Sequence, residues 1–235
     1  MKILALDCSA GPASAAIFED GKLIASSYAN VKLTHSQTLL PMVENTLASA
    51  RYAIDDIDLF AVNNGPGSFT GIRIGISAVK GLAAPDNKAC VGVSTLFSIA
   101  CCFKNIDCTL CAVMDARCNQ VYNAIFDISN GVITRRTEDR AIMISEVESD
   151  LKSTENKPII IAGDGAELFS EFAKNNSNIS IAKEPLRFQN AIGVGIAAEE
   201  MASRNETVYA DTLLPFYLRL PQAERELKAK KLKGE

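Results

Sequence analysis

The sequence predicts an α/β protein made of two tandem copies of one unit, each a mixed sheet with helices packed on its faces. Three observations predict it. Apolar runs of strand length alternate with stretches of helical apolar spacing. Over the first hundred residues these read as three strands, helix, strand, helix, strand, helix, and a similar order restarts near residue 110. The restart is also literal. Asp7 precedes Ala16-Ile17-Phe18 at the separation at which Asp115 precedes Ala124-Ile125-Phe126, and a glycine turn follows the fourth strand of each copy, Gly65-x-Gly67 and Gly163-x-Gly165. A period near 108 residues is too long for a solenoid repeat and reads as a duplicated domain, with units at 1–105 and 106–235.

Each element follows from local chemistry. Residues 2–6 are a short apolar strand ending at Asp7, and 14–18 and 23–27 are strands joined by the turn Glu19-Asp20-Gly21-Lys22. Leu39, Leu40, Val43 and Leu47 give 36–50 a helical apolar stripe. Residues 59–63 form a strand that enters Gly65-Pro-Gly-Ser-Phe-Thr-Gly71, and 72–84 is a helix stopped by Pro85. A strand at 91–93 meets Ser94, which caps a helix running through Ala100. In the second copy 110–114 is a strand ending at Asp115, and 121–126 and 132–136 pair across Asn130-Gly131. Residues 144–151 are helical, 158–162 a strand, and 166–174 a helix entered from the glycine turn.

Composition narrows the function. With 48% hydrophobic and 22% charged residues the chain is neither a disordered tail nor an ordinary coiled coil. It has no apolar run of the roughly 18 residues that a membrane helix needs, and its N-terminus lacks a signal-peptide core, so a cytoplasmic protein without membrane partners is expected. The net charge of −4 excludes a surface that is basic throughout. Residues 219–235 nevertheless carry six basic against three acidic side chains, which reads as a solvated polar helix before an anion-binding arm. Seven cysteines without a secretion signal are expected as reduced thiols. Cys108 and Cys111 have half the spacing of a zinc site, but a strand turns residues three apart to opposite faces, so core thiols are expected and no metal.

Two clusters can carry chemistry. Two such units leave a cleft between them, and in each an aspartate ends the first strand at the rim where sheets of this kind bind ligands. Asp7 and Asp115 facing each other there would hold a hydrated magnesium ion and a nucleotide's phosphates. The loop after Asp7, with Ser9 and Gly11, could wrap a phosphate. The loop after Asp115 has no glycine and several bulky side chains, so half of the clamp is missing and the cleft reads as a vestigial nucleotide site at Asp7, Ser9, Gly11 and Asp115. Gly65-Pro-Gly-Ser-Phe-Thr-Gly-Ile-Arg73 fits neither a dinucleotide fingerprint nor a P-loop, and its glycines point to close packing. His35, the one histidine, reads as a capping or interface residue before a catalytic base, so no triad and no catalytic residue is expected.

Six segments stand in order along nearly the whole chain: Leu4-Ala-Leu-Asp-Cys-Ser9, His35-Ser-Gln-Thr-Leu-Leu-Pro41, Asn64-Gly-Pro-Gly-Ser-Phe-Thr-Gly-Ile-Arg-Ile-Gly75, Met114-Asp-Ala-Arg117, Gly163-Asp-Gly-Ala166 and Pro215-Phe-Tyr-Leu-Arg219. Together they resemble the TsaB (YeaZ) family, the glycine-rich segment most specifically. The resemblance implies a bacterial member of the actin/Hsp70-like superfamily, with duplicated ribonuclease-H-like domains. It implies a role in forming N6-threonylcarbamoyladenosine at position 37 of tRNAs that read codons beginning with A. In that pathway a separate synthase makes threonylcarbamoyl-adenylate, the paralogue TsaD transfers the group, TsaB is its heterodimer partner, and the ATPase TsaE joins them. TsaD-type members hold a metal through two histidines near the start of the helix after the strand matching 91–93; the stretch here, 92–100, has none.

A non-catalytic but required partner is therefore expected, meeting tRNA only through the complex. No cofactor is expected to be tightly bound, with weak ATP or ADP plus magnesium at a partner interface, and a homodimer is open for the chain alone. The interface would be built from His35, Leu39, Val43 and Leu47 on the first helix and Arg73, Gly75, Ala78, Val79 and Leu82 on the second, pairing with the same helices of TsaD. The alternative is a small-molecule kinase-like enzyme on the same fold, which would need tight ATP–magnesium binding at Asp7 and Asp115. A peptidase or chaperone-like binder finds no residues to support it.

Overall fold

A computed structural model describes residues 1–31, 33–154 and 157–219, so the basic tail beyond Arg219 lies outside the described residues. The first sheet has the order β3-β2-β1-β4-β5, from β1 (Lys2–Asp7), β2 (Ala13–Glu19), β3 (Lys22–Ala29), β4 (Leu59–Gly65) and β5 (Ala89–Ser94). β1 pairs antiparallel with β2 and parallel with β4, as expected when a hairpin precedes strand–helix crossovers. Asp20 and Gly21, both at positive φ, close the β2–β3 hairpin. α1 (His35–Ala50) links β3 to β4, and α2 (Phe69–Ala83) links β4 to β5. Ser68 caps α2 by accepting from Gly71 N at 3.2 Å, and Ser94 caps α3 (Thr95–Cys101) by accepting from Phe97 N at 3.2 Å.

The second sheet repeats the scheme in the order β11-β10-β6-β7-β8. β6 (Cys108–Arg117) and β7 (Gln120–Ser129) are ten-residue strands, and β8 (Val132–Arg135) pairs with the second half of β7 across Asn130-Gly131. β9 (Arg140–Met143) pairs with the first half of β7, a strand that the sequence reading does not contain. α4 (Ile144–Lys152) leads to β10 (Ile159–Ala162). The helix expected over 166–174 is instead a 3-10 turn, Ala166–Phe169, followed by α5 (Ser170–Lys174). β11 (Ile179–Ile181) and α6 (Ala191–Ser203) complete the regular structure of the described residues and were also not expected.

The apolar residues of α6 are spread round the helix, with Glu199 and Glu200 only near its end, so it lacks the one-sided stripe that marks a surface helix. It is buried accordingly. Ala191, Val194, Ala197 and Ala198 pack against Ile3, Ala5, Phe18, Val91 and Val93 of the first sheet. Its glycines permit the approach: a Cβ at Gly193 would overlap Ser98 O, and one at Gly195 would overlap the Phe18 ring. The layers are therefore α1 and α2, the first sheet, α3 and α6, the second sheet, then α4 and α5. This duplicated mixed α/β architecture is the predicted fold class. No described helix is long and apolar enough to cross a membrane.

Candidate functional site

A cleft of about 610 Å³ opens where the loops of both units meet. Its walls come from the loop after β1 (Ser9, Gly11), the β4–α2 turn (Gly67, Phe69), the β6–β7 hairpin (Asp115, Arg117) and the turn at Asp164, with the C-terminal segment (Tyr217, Arg219) across it. Asp7 does not line it. Its side chain is fully buried, and Oδ1 accepts from Ser9 N at 3.1 Å, Ser9 Oγ at 2.7 Å and Asn63 Nδ2 at 2.7 Å. Oδ2 meets no partner among the described residues. Burial pushes the carboxyl above the usual range, and the Ser9 and Asn63 hydrogen bonds oppose that shift.

The pleat explains where Asp7 points. Ile3, Ala5 and Asp7 share the face of the first sheet that α3 and α6 cover, while Leu4, Leu6 and Cys8 face α1 and α2. Ser14, opposite Asp7 in register, accepts from Ala191 N at the start of α6 at 2.8 Å. In the first unit Ala5 pairs with Ala16; in the second, Ala112 pairs with Ala124. Matching Ala16-Ile17-Phe18 to Ala124-Ile125-Phe126 thus places Met114, not Asp115, in the position of Asp7. Asp115 takes the position of Cys8. A register step of one residue moves a side chain to the other face, so the expected pair of facing aspartates does not form. Met114 is buried, and its methyl reaches towards Gly67 of the first unit.

Asp115 is exposed on the cleft wall. Its Oδ1 accepts from Arg117 N at 2.7 Å, and its own N–H donates to Asp164 Oδ1 at 3.2 Å. Burial pushes the Asp164 carboxyl up to about 6. Arg117, Cys118 and Asn119 all have positive φ, and Cys118-Asn119 forms a two-residue hairpin turn. The second unit therefore has a tight turn where a phosphate-wrapping loop would sit.

The glycine-rich turn acts as packing. A Cβ at Gly67 would overlap Ser9 O, and one at Gly71 would overlap Cys8 O, while Ser68 N donates to Ser9 O at 2.7 Å. These contacts seat the first turn of α2 on the loop after β1. His35, the first residue of α1, clamps the same loop by donating from Nε2 to Ala10 O at 2.7 Å. The C-terminal segment is fixed from the other side. Phe216 N donates to Asn64 O at 2.8 Å, Tyr217 stacks on Phe69 with centroids 4.9 Å apart, and Arg219 donates to Ala116 O of the second unit at 2.9 Å. Phe69, Asp164 and Tyr217 were not among the candidate residues. The segment Pro215-Phe-Tyr-Leu-Arg219 was the signal that could have found Tyr217.

A second groove, about 600 Å³, runs between α1 and α2 and is lined by His35, Leu39, Leu40, Arg73, Ile74 and Ala78 among others. Of the expected interface residues, Arg73 is exposed and Ala78, Leu47 and Leu82 are half-buried. Leu39, Val43 and Val79 are buried in the chain's own core, and Gly75 lies against Cys8 and Val62. These four, expected at an interface, are core positions instead, because each helix must turn one stripe onto the sheet. Leu40 and Ile74, absent from the expected set, present apolar surface instead. Cys108 and Cys111 lie in different core layers on opposite faces of β6. Among the described residues no group of three or more His, Cys, Asp or Glu side chains is placed to hold a metal ion.

The family model for tRNA N6-adenosine threonylcarbamoyltransferase (TsaD) matches residues 24–227. The chain is 30% identical to the tRNA threonylcarbamoyladenosine biosynthesis protein TsaB of Escherichia coli, over 98% of this chain and 100% of that one. The solved structure of YeaZ from Pseudomonas aeruginosa superposes with a TM-score of 0.76 at 27% identity, covering 92% of this chain and 99% of that one. A more distant fold neighbour is component A of the Acidaminococcus fermentans (R)-2-hydroxyglutaryl-CoA dehydratase, with a TM-score of 0.50 at 14% identity, covering 86% and 99%. The chain belongs to the TsaB (YeaZ) family, a paralogue of the TsaD transferases.

Proposed function

We propose that this protein is a non-catalytic but required partner of a TsaD transferase in forming N6-threonylcarbamoyladenosine at position 37 of tRNAs that read codons beginning with A. One observation carries the reading: the facing carboxylates expected from the two units do not form, because Asp7 is buried on the α6 side of the first sheet and Met114 occupies the matching position in the second unit, and the two acids that line the cleft, Asp115 and Asp164, both belong to the second unit. A kinase of this fold needs such a pair to hold magnesium and the transferred phosphoryl group. The function then lies on a surface, and the groove between α1 and α2, where Leu40 exposes apolar area beside Ile74 and Ala78, is the candidate. The transferase would dock there, the ATPase TsaE would join the complex, and tRNA would be met through the assembly. Any nucleotide would be held weakly, with magnesium, at the interface.

Two measurements on the purified chain test this. Mixed with the transferase, it should give a stable heterodimer by light scattering. Titrated with ATP and magnesium alone, it should show neither micromolar binding nor turnover. Tight binding with turnover would favour the kinase-like enzyme.

A further inference from the structure

We infer that the buried polar cluster where α6 starts across the first sheet binds one monovalent alkali cation, through side-chain oxygens of Asp7, Asn63, Thr95 and Gln189. The inference goes beyond the docking reading and does not rest on it. Asp7 Oδ2, Asn63 Oδ1, Thr95 Oγ1 and both amide atoms of Gln189 are buried without a hydrogen-bond partner among the described residues. All four residues are at most 1% exposed. Buried polar atoms are normally satisfied, so several unsatisfied ones in one place point to a ligand.

The fold brings them to one place. Asn63 donates from Nδ2 to Asp7 Oδ1, and it pairs in register with Val93, just before Thr95. Asp7 lies opposite Ser14, whose hydroxyl accepts from Ala191 N, just after Gln189. Asp7 continues the row of Ile3 and Ala5, and Asn63 that of Leu59 and Ala61, on the face that α3 and α6 cover. Thr95 is the first residue of α3 on that same face.

The donor set selects the ligand. Water would satisfy the neutral groups, but Asp7 adds a carboxylate, and its hydrogen bonds come from Ser9 and Asn63 rather than from a cationic side chain. A buried charge without an opposite charge is costly. Burial works against the ionised form of Asp7, and a cation at Oδ2 would offset that. One carboxylate and three neutral oxygens balance a single positive charge with hard donors. They match magnesium or calcium poorly, since those ions take about six to eight oxygens and the cluster holds no second acid. Gln189 Nε2, the one remaining donor, would serve a water on the cation. Because Gln189 leads into α6 and Asp7 ends β1, the ion would fasten α6 to the first sheet.

The test is the melting temperature of the intact chain in potassium, sodium or tetramethylammonium chloride at one ionic strength. At least one alkali salt should raise it by about 3 °C or more over tetramethylammonium, which is too large to be enclosed, and the rise should saturate with concentration. Asp7→Asn and Gln189→Leu should each abolish the difference. Equal melting in all three salts would overturn the inference and leave the cluster to water. A difference that survives in both variants would place any cation elsewhere and also overturn it. Where the variants do not fold, wild-type crystals soaked in thallium(I) acetate decide: an anomalous peak in contact with Asp7 Oδ2 is expected, and its absence there contradicts the site.

Discussion

At Asp7 three donors converge on one carboxylate oxygen, and two of them, Ser9 Oγ and Asn63 Nδ2, are side chains that could be removed singly. Asn63→Leu would strip one donor from a fully buried acid and should cost about 1–3 kcal/mol of stability, read by urea denaturation. Asp164 makes a pH prediction. Its carboxyl is raised from 3.8 to about 6 in the folded state, so its contribution to stability is fully present below about 4 and is lost as pH rises through about 6. The melting temperature should fall across that window, and Asp164→Asn should flatten the fall. An identical slope in the variant would assign it to other groups. The sequence places Asp7 and Asp115 at strand ends, but the face each occupies depends on how the following hairpin pairs. Asp7 pairs with Ser14 and Asp115 with Val121, so one loop is a residue shorter, and equal spacing to a shared tripeptide conceals the difference.

The elements show where local patterns suffice. α1, α2 and the hairpins were legible because an amphipathic stripe, a serine cap or an Asp-Gly or Asn-Gly turn announces them. α6 was not, since a helix whose apolar residues are spread round its circumference, with Gly193 and Gly195 in its first turns, has neither a stripe nor a strong propensity. β9 is four residues long and is defined by the part of β7 left unpaired by β8, which is tertiary information. The groove was half legible: the helices were identified, but the inward stripe was chosen along with the outward one. Gly71→Ala should cost about 1–3 kcal/mol, because its Cβ would meet Cys8 O on a backbone that cannot give way. Ala78→Glu, by contrast, adds a charge at a half-buried groove position and should leave the melting temperature within a few degrees while abolishing heterodimer formation by light scattering.

At the scale of the molecule, duplication has produced two units that are alike in topology and unlike at the site. The first keeps a loop of small residues after β1; the second has a tight hairpin, and a methionine bridges towards the first unit where an acid would be needed. α6, from the C-terminal half, packs on the first sheet, and the C-terminal segment returns to both units through Phe216 and Arg219. The C-terminal segment thereby crosses the cleft and ties its two walls together, while the α1–α2 groove lies outside it. The central claim is that the protein is required for the modification without performing it. The most direct measurement is reconstitution with purified TsaD, TsaE, the adenylate synthase and unmodified tRNA, reading threonylcarbamoyladenosine by mass spectrometry with this chain present or omitted. The account predicts product only when the chain is present, and undiminished product with an Asp115→Ala variant. Product formed equally well without the chain, or lost with Asp115→Ala in a protein that still binds its partner, would contradict it.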